Sequence, residues 1–121
     1  MAFTPWGQSQ SQTTWAPGII DYSTPGHGGV GLSTERQAEL PDWARINNWV
    51  GTFQWWEEDE DWCVPFLAFL PEIRAYAAEH PDEWWAKRID NSLEHALNTA
   101  KACHSNFVQN WRGTKFGAPA R

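Results

Sequence analysis

Five consecutive carboxylates, Glu57 to Asp61, pass directly into an apolar block running from Val64 to Leu70. This junction constrains the chain more than any other stretch, because within a few residues it dictates what faces water and what must be buried. Trp55 and Trp56 precede the carboxylates and Trp62 follows them. Acidic side chains favour the start of a helix, where they face the positive end of the dipole and accept from free N–H groups. The acidic run is therefore expected to open a helix whose start Pro65 limits, with Asp61 as one candidate cap. Pro65 then falls in the first turn, whose N–H groups need no intrahelical partner. An earlier start would cost a hydrogen bond and a kink near Cys63. Pro71 ends this helix or restarts it over 72–79.

A chain of 121 residues fits one domain with one core. Ten Trp supply much of that core, since each buried aromatic removes on the order of 150–250 Å² from water. Only Cys63 and Cys103 are present, so no disulfide framework is implied and both read as reduced core residues of a cytoplasmic protein. No charged-then-apolar leader and no apolar run near ~18 residues is seen, which argues against secretion or membrane spanning.

The first third reads as β-structure. Residues 1–18 form an extended arm anchored by Trp6 and Trp15, with Ser11 to Trp15 as a first strand. Ala16-Pro17-Gly18 is a turn, and Ile19 to Thr24, rich in β-branched and aromatic residues, is a second strand paired to the first as a hairpin. Pro25-Gly26-His27-Gly28-Gly29 is a loop whose glycines let backbone approach a neighbour closely, and Val30 to Leu32 is a short third strand. The Thr34-x-x-Gln37 spacing of a capping box starts a short helix that Pro41 stops. Asp42 to Phe53 carries mixed signals and one helical turn. From Asp82 to Trp111, apolar residues at Trp85, Ile89, Leu93, Ala96, Leu97, Ala100, Cys103, Phe107 and Trp111 recur with the period of an amphipathic helix. Such a helix would run roughly 45 Å and reach past so small a core. The fold class is α+β: a small antiparallel sheet from the N-terminal third packed against helices, with a long C-terminal amphipathic helix. The single domain spans 1–121, divided into a strand-rich part (1–33), short helices with the acidic motif (34–81), the long helix (82–111) and a basic tail (112–121).

The formal net charge of −6 is unevenly placed. The acidic run concentrates five negative charges, whereas the segment from Asp82 onward has six basic and four acidic side chains. A direct nucleic-acid binder needs a basic face, and only the tail with Arg112, Lys115 and Arg121 offers one. The asymmetry favours a basic site on a protein partner. A charge run is usually plain solvated surface, but Trp55, Trp56 and Trp84 supply the aromatic anchors that interfaces use. The partner-binding candidates are thus Trp55, Trp56, Glu57, Glu58, Asp59, Glu60, Asp61 and Trp84. Trp62 and Trp85 read better as core filling.

A catalytic alternative would combine His27 with Glu57, Glu58 and Asp59, because imidazole and carboxylates suit hydrolytic metals and a glycine loop can hold an oxyanion. The plainer reading makes His27 and the carboxylates partners of loop backbone. Ser23 or Thr24 lacks a placed orienting acid, Cys63 sits where Cys is normally core, and His95, Cys103 and His104 lack zinc spacing. No cofactor and no metal is expected.

The strings TPWG at Thr4, APGI at Ala16, STPGHGGVGLS at Ser23 and WEEDEDWCVPFLAFLPE at Trp56 resemble, in order and spacing, a small domain of unknown function found in bacteriophages, prophages and conjugative elements. The resemblance covers roughly Thr4 to Glu79. Glu60 stands where that family often has Cys, so no thiol role is available there, and Pro65 interrupts a helix that is otherwise continuous. The resemblance carries no reaction. It implies a mobile-element setting, in which small acidic proteins act against host defence. The expectation is a non-enzymatic, anti-CRISPR-like inhibitor in the host bacterial cytoplasm. Its acidic, Trp-rich surface would block a basic nucleic-acid site on a defence nuclease or CRISPR effector protein, without binding nucleic acid or membrane. The 82–111 helix could also pair with a second copy. The alternative is a small metal-dependent hydrolase or nucleotide-processing enzyme.

Overall fold

The computed structural model describes residues 2–112; the basic tail beyond Arg112, with Lys115 and Arg121, lies outside the described residues. The protein is α+β. A two-stranded ribbon, β1 (Phe3–Thr4) and β2 (Gly7–Gln8), precedes a four-stranded antiparallel sheet of β3 (Ser11–Ala16), β4 (Ile19–Ser23), β5 (Gly28–Leu32) and β6 (Trp55–Glu57), paired in that order. Helix α1 (Thr34–Glu39) and a 3-10 turn at Asp42–Ala44 lie in the connection from β5 to β6. Four further helical segments follow: α2 (Cys63–Ala68), α3 (Leu70–Glu79), α4 (Ile89–Cys103), entered through a 3-10 turn at Ala86–Arg88, and α5 (Ser105–Arg112).

The sheet explains the aromatic and glycine content together. Cross-strand partners share a face, and the register Ile19 to Leu32, Asp21 to Val30 and Val30 to Trp56 sets these residues on the side facing the helices. Ile19, Val30, Leu32 and Trp56 are buried there. The opposite face carries Tyr22 against Gly29 and Trp55 against Gly31. Indole rings lie over those glycines: Trp6 and Trp55 meet edge to face at 5.9 Å, and Tyr22 and Trp55 at 5.5 Å. A Cβ at Gly29 would run into the Trp56 carbonyl oxygen and the Trp6 ring, and one at Gly31 into Tyr22 and Trp55. The glycines of the HGGVG stretch are thus seats for aromatic rings.

Helix α2 is the centre of the core, with every residue from Cys63 to Ala68 buried. It packs against α3, α4 and α5. Pro65 sits in its first turn, where its missing N–H costs nothing. Phe69 breaks the path and α3 restarts at Leu70 with Pro71 in its first turn. Ser33 caps α1, accepting from Arg36 N–H, so the cap lies one residue before the Thr34 of the expected capping box. Gln37 instead donates its side-chain N–H to the Leu32 carbonyl.

Two expected elements take a different form. The acidic run does not open a helix: Glu57 ends β6, a turn follows, and α2 begins only at Cys63. Pairing of Trp56 with Val30 wins over dipole capping, because it buries a whole indole with its Nε1–H bonded to the Phe53 carbonyl. The periodic stretch from Asp82 is helical from Ala86, but it breaks at His104 and turns back as α5. Phe107, Val108 and Trp111 are buried, and Trp111 Nε1 donates to the Leu67 carbonyl at 2.9 Å. A straight helix would have left these three residues in water; folding back recovers their burial. Cys63 is buried as expected, whereas Cys103 is exposed at the end of α4.

Gly29→Ala is expected to lower the unfolding free energy by about 3 kcal/mol, since backbone and an indole must both shift to admit one methyl group. Chemical denaturation checks it, with Gly26→Ala as control because nothing lies within 4 Å of a Cβ there.

Candidate functional site

The five carboxylates, read as one acidic surface, divide into three roles. The Glu57 carboxylate folds onto its own turn and accepts from the backbone N–H groups of Asp59, Glu60 and Asp61. Its charge is thereby committed to holding the turn. Asp61 points inward and is 2% exposed. One of its oxygens accepts from Trp49 N–H at 2.7 Å and the other lies 3.0 Å from His104 Nε2. Glu58, Asp59 and Glu60 remain exposed. Glu58 N–H donates to the Gly28 carbonyl and carries the β5–β6 ladder one step past the strand.

Trp56, expected at the partner surface, is wholly buried. Trp55 is half-buried beneath Trp6 and Tyr22. Trp84 is exposed but lines a different cleft, and Trp85 is core, as expected. Trp62 is partly buried against Trp15 and Phe66. The aromatic that does stand beside the acidic turn is Trp49, 80% exposed. Sequence reasoning missed it because Trp43, Ile46 and Trp49 share a helical spacing that the chain does not use here. Trp49, Pro5, Trp6, His27, Glu57, Asp59 and Glu60 enclose an open cleft of about 530 Å³.

His27 does meet the acidic turn. Its Nδ1 lies 3.9 Å from Glu58 Oε1, with both side chains largely in water, and its backbone is tied to the Thr24 hydroxyl. Of the expected set, His27, Glu57 and Asp59 line this cleft and Glu58 lies beside His27, but the Glu57 carboxylate is turned to the backbone. Among the described residues no group of three or more His, Cys, Asp or Glu is arranged to hold a metal ion. The catalytic alternative would have to rest on His27 and Glu58.

A residue the sequence reading passed over stands out instead. Asp21 is on the helix-facing side of β4, in register with buried Val30, and no hydrogen bond or ion pair reaches its carboxylate among the described residues. Burial, reinforced by the charge of Glu58, pushes its carboxyl up to about 6. The signal was present: Ile19, Asp21 and Ser23 alternate along one face, and a carboxylate there breaks the apolar side of the strand.

The family model for a domain of unknown function, DUF7007, matches residues 1–116. The chain belongs to this family. No curated protein and no solved structure matches it. DUF7007 membership names no activity, so the geometry of this member carries the functional argument. No described helix is long and apolar enough to cross a membrane.

Asp61→Ala would leave the Trp49 N–H and the His104 ring without their shared acceptor. It is expected to lower the unfolding free energy by about 3 kcal/mol, measured by urea denaturation. Asp21 works in the opposite sense. Its folded carboxyl titrates above its ordinary value, so its stabilising contribution is present at low pH and is lost as pH rises through about 6. Asp21→Asn is expected to raise the unfolding free energy at neutral pH by about 2 kcal/mol. Between about pH 4 and pH 6 the wild-type protein should lose stability relative to this variant.

Proposed function

We propose that this DUF7007 protein is a non-catalytic binding protein whose acidic turn occupies a basic site on a partner protein. The observation that carries the reading is the combination at one turn: three exposed carboxylates, Glu58, Asp59 and Glu60, beside the exposed ring of Trp49, on a backbone pinned by Glu57 and Asp61. Fixing the turn before binding removes an ordering cost that a flexible acidic loop would incur on association. Exposed carboxylates steer a basic partner, and an indole at the rim supplies apolar contact.

The partner class that suits such a surface is a protein groove built for phosphates, in which carboxylates take the place of the nucleic-acid backbone. Together with the mobile-element resemblance of the motifs, this leads to a bacterial defence nuclease, such as a CRISPR effector, as the target. The cleft against which such a groove would close is lined by Trp6, His27 and Trp49 as well as the acidic turn. Glu57, Asp61 and Trp56 act through the fold and not by contact.

In a competition assay, the protein should displace labelled nucleic acid from the purified effector. Combined Glu58→Lys, Asp59→Lys and Glu60→Lys should weaken that displacement by about 100-fold, while the melting temperature stays within a few degrees because all three side chains face water. Full displacement by the folded triple variant would overturn the reading.

A further inference from the structure

A second cleft, of about 370 Å³, opens between the β3–β4 edge of the sheet and the start of α4. That volume lies within the roughly 300–1,000 Å³ of small-molecule sites. Four indoles line it: Trp15 from β3, Trp62 from the residue before α2, and Trp84 and Trp85 from the approach to α4. Trp15 and Trp62 meet edge to face, and His95 tilts against Trp62 with ring centres 5.3 Å apart. Trp84 is 65% exposed. Asp21 enters the same cleft from the sheet, without a hydrogen-bonding or ionic partner among the described residues.

Indole faces attract cations through the ring quadrupole, and Trp is the strongest of the aromatic side chains in this respect. The partly buried Asp21 carboxylate, which makes no ion pair, adds the complementary charge. Arg88 lines the cleft too, but it is exposed and makes no ion pair with Asp21. The kind of cation follows from hydrogen-bond capacity. A primary ammonium brings three donors and a guanidinium five, whereas indole walls accept none and the side chains here that can accept, Asp21, Asn91, Ser92 and His95, are few beside four indoles. A cation without N–H groups leaves no donor unsatisfied.

We propose that the cleft walled by Trp15, Trp62, Trp84 and Trp85, with the Asp21 carboxylate on its sheet side, binds a quaternary ammonium group. The site has a different lining from the cleft at the acidic turn, although Glu58 of that turn acts on Asp21, and its ligand does not depend on the proposed inhibitory role. Binding has a direct relation to the stability cost of Asp21: the bound cation supplies the counter-charge that the fold withholds. Affinity should therefore rise with pH through about 6, as Asp21 ionises against the influence of Glu58, with Arg88 and His95 the other titratable groups lining the cleft.

The test is a titration with choline at constant ionic strength, followed through the indole N–H resonances, beside its uncharged carbon isostere 3,3-dimethylbutanol. Choline should give saturable shifts, with the isostere at least about tenfold weaker. Asp21→Asn, which is expected to be more stable than the parent, should weaken choline binding about tenfold, and Trp84→Ala, at an exposed position, about fivefold. A peptide carrying trimethyl-lysine distinguishes the source of the group: tighter binding than choline assigns it to a protein partner, and equal binding to a free small molecule. Absence of saturable shifts, equal binding of the isostere, or indifference to Asp21→Asn would each overturn the proposal.

Discussion

A single buried carboxylate, that of Asp61, ties together three separate parts of the chain. It fixes the Trp49 loop through a backbone N–H, ends the acidic turn at the threshold of the central helix, and engages His104 at the break between α4 and α5. A buried charge is costly unless its oxygens are satisfied, and here both are used. The arrangement decides the rest: with Asp61 turned inward and Glu57 folded onto its turn, only the middle three carboxylates can face outward. The surface chemistry of the protein is in that sense a by-product of how its interior is closed.

The two clefts use aromatic residues in different ways. At the acidic turn, Trp49 stands in water beside carboxylates that are free to pair with a large basic surface. At the α4 entrance, indoles form walls around one partly buried carboxylate. The first arrangement suits recognition by long-range charge, and the second suits a small ion held at close quarters. Trp6, Trp15, Trp55, Trp56 and Trp62 meanwhile fill the sheet faces and the core boundary. The high tryptophan content is therefore several requirements superposed.

Much of the architecture was legible in the residues. Strand signals at Ile19 to Ser23, the turn at Pro17-Gly18 and the helical period after Pro81 each rest on local chemistry that the tertiary structure did not override. The errors fall where long-range pairing competes with a local preference. Trp55 to Glu57 carries a helix-start signal by charge, but the buried indole of Trp56 makes it a strand once β5 is present. The break at His104 has no Gly or Pro to announce it, and it follows from the need to bury Trp111 on α2 and from the acceptor that Asp61 offers. Of the candidate site, the acidic run was evident but its internal division was not, since side-chain direction at a turn depends on which backbone N–H groups lie within reach. Asp21 was visible in principle as a break in a period-two pattern.

The return of α5 onto α2 also bears on how this chain can fold during synthesis. Trp111 bonds to Leu67 across 44 residues, and Phe107 packs against Trp43 at 5.5 Å. Until the last helix has left the ribosome, the apolar α2 has an open side. The hairpin of β3 and β4 can form early, but the core closes only once α5 has been made. A nascent chain halted before Ser105 would still cover α2 with α3 and α4 but would leave open the side that Phe107, Val108 and Trp111 close.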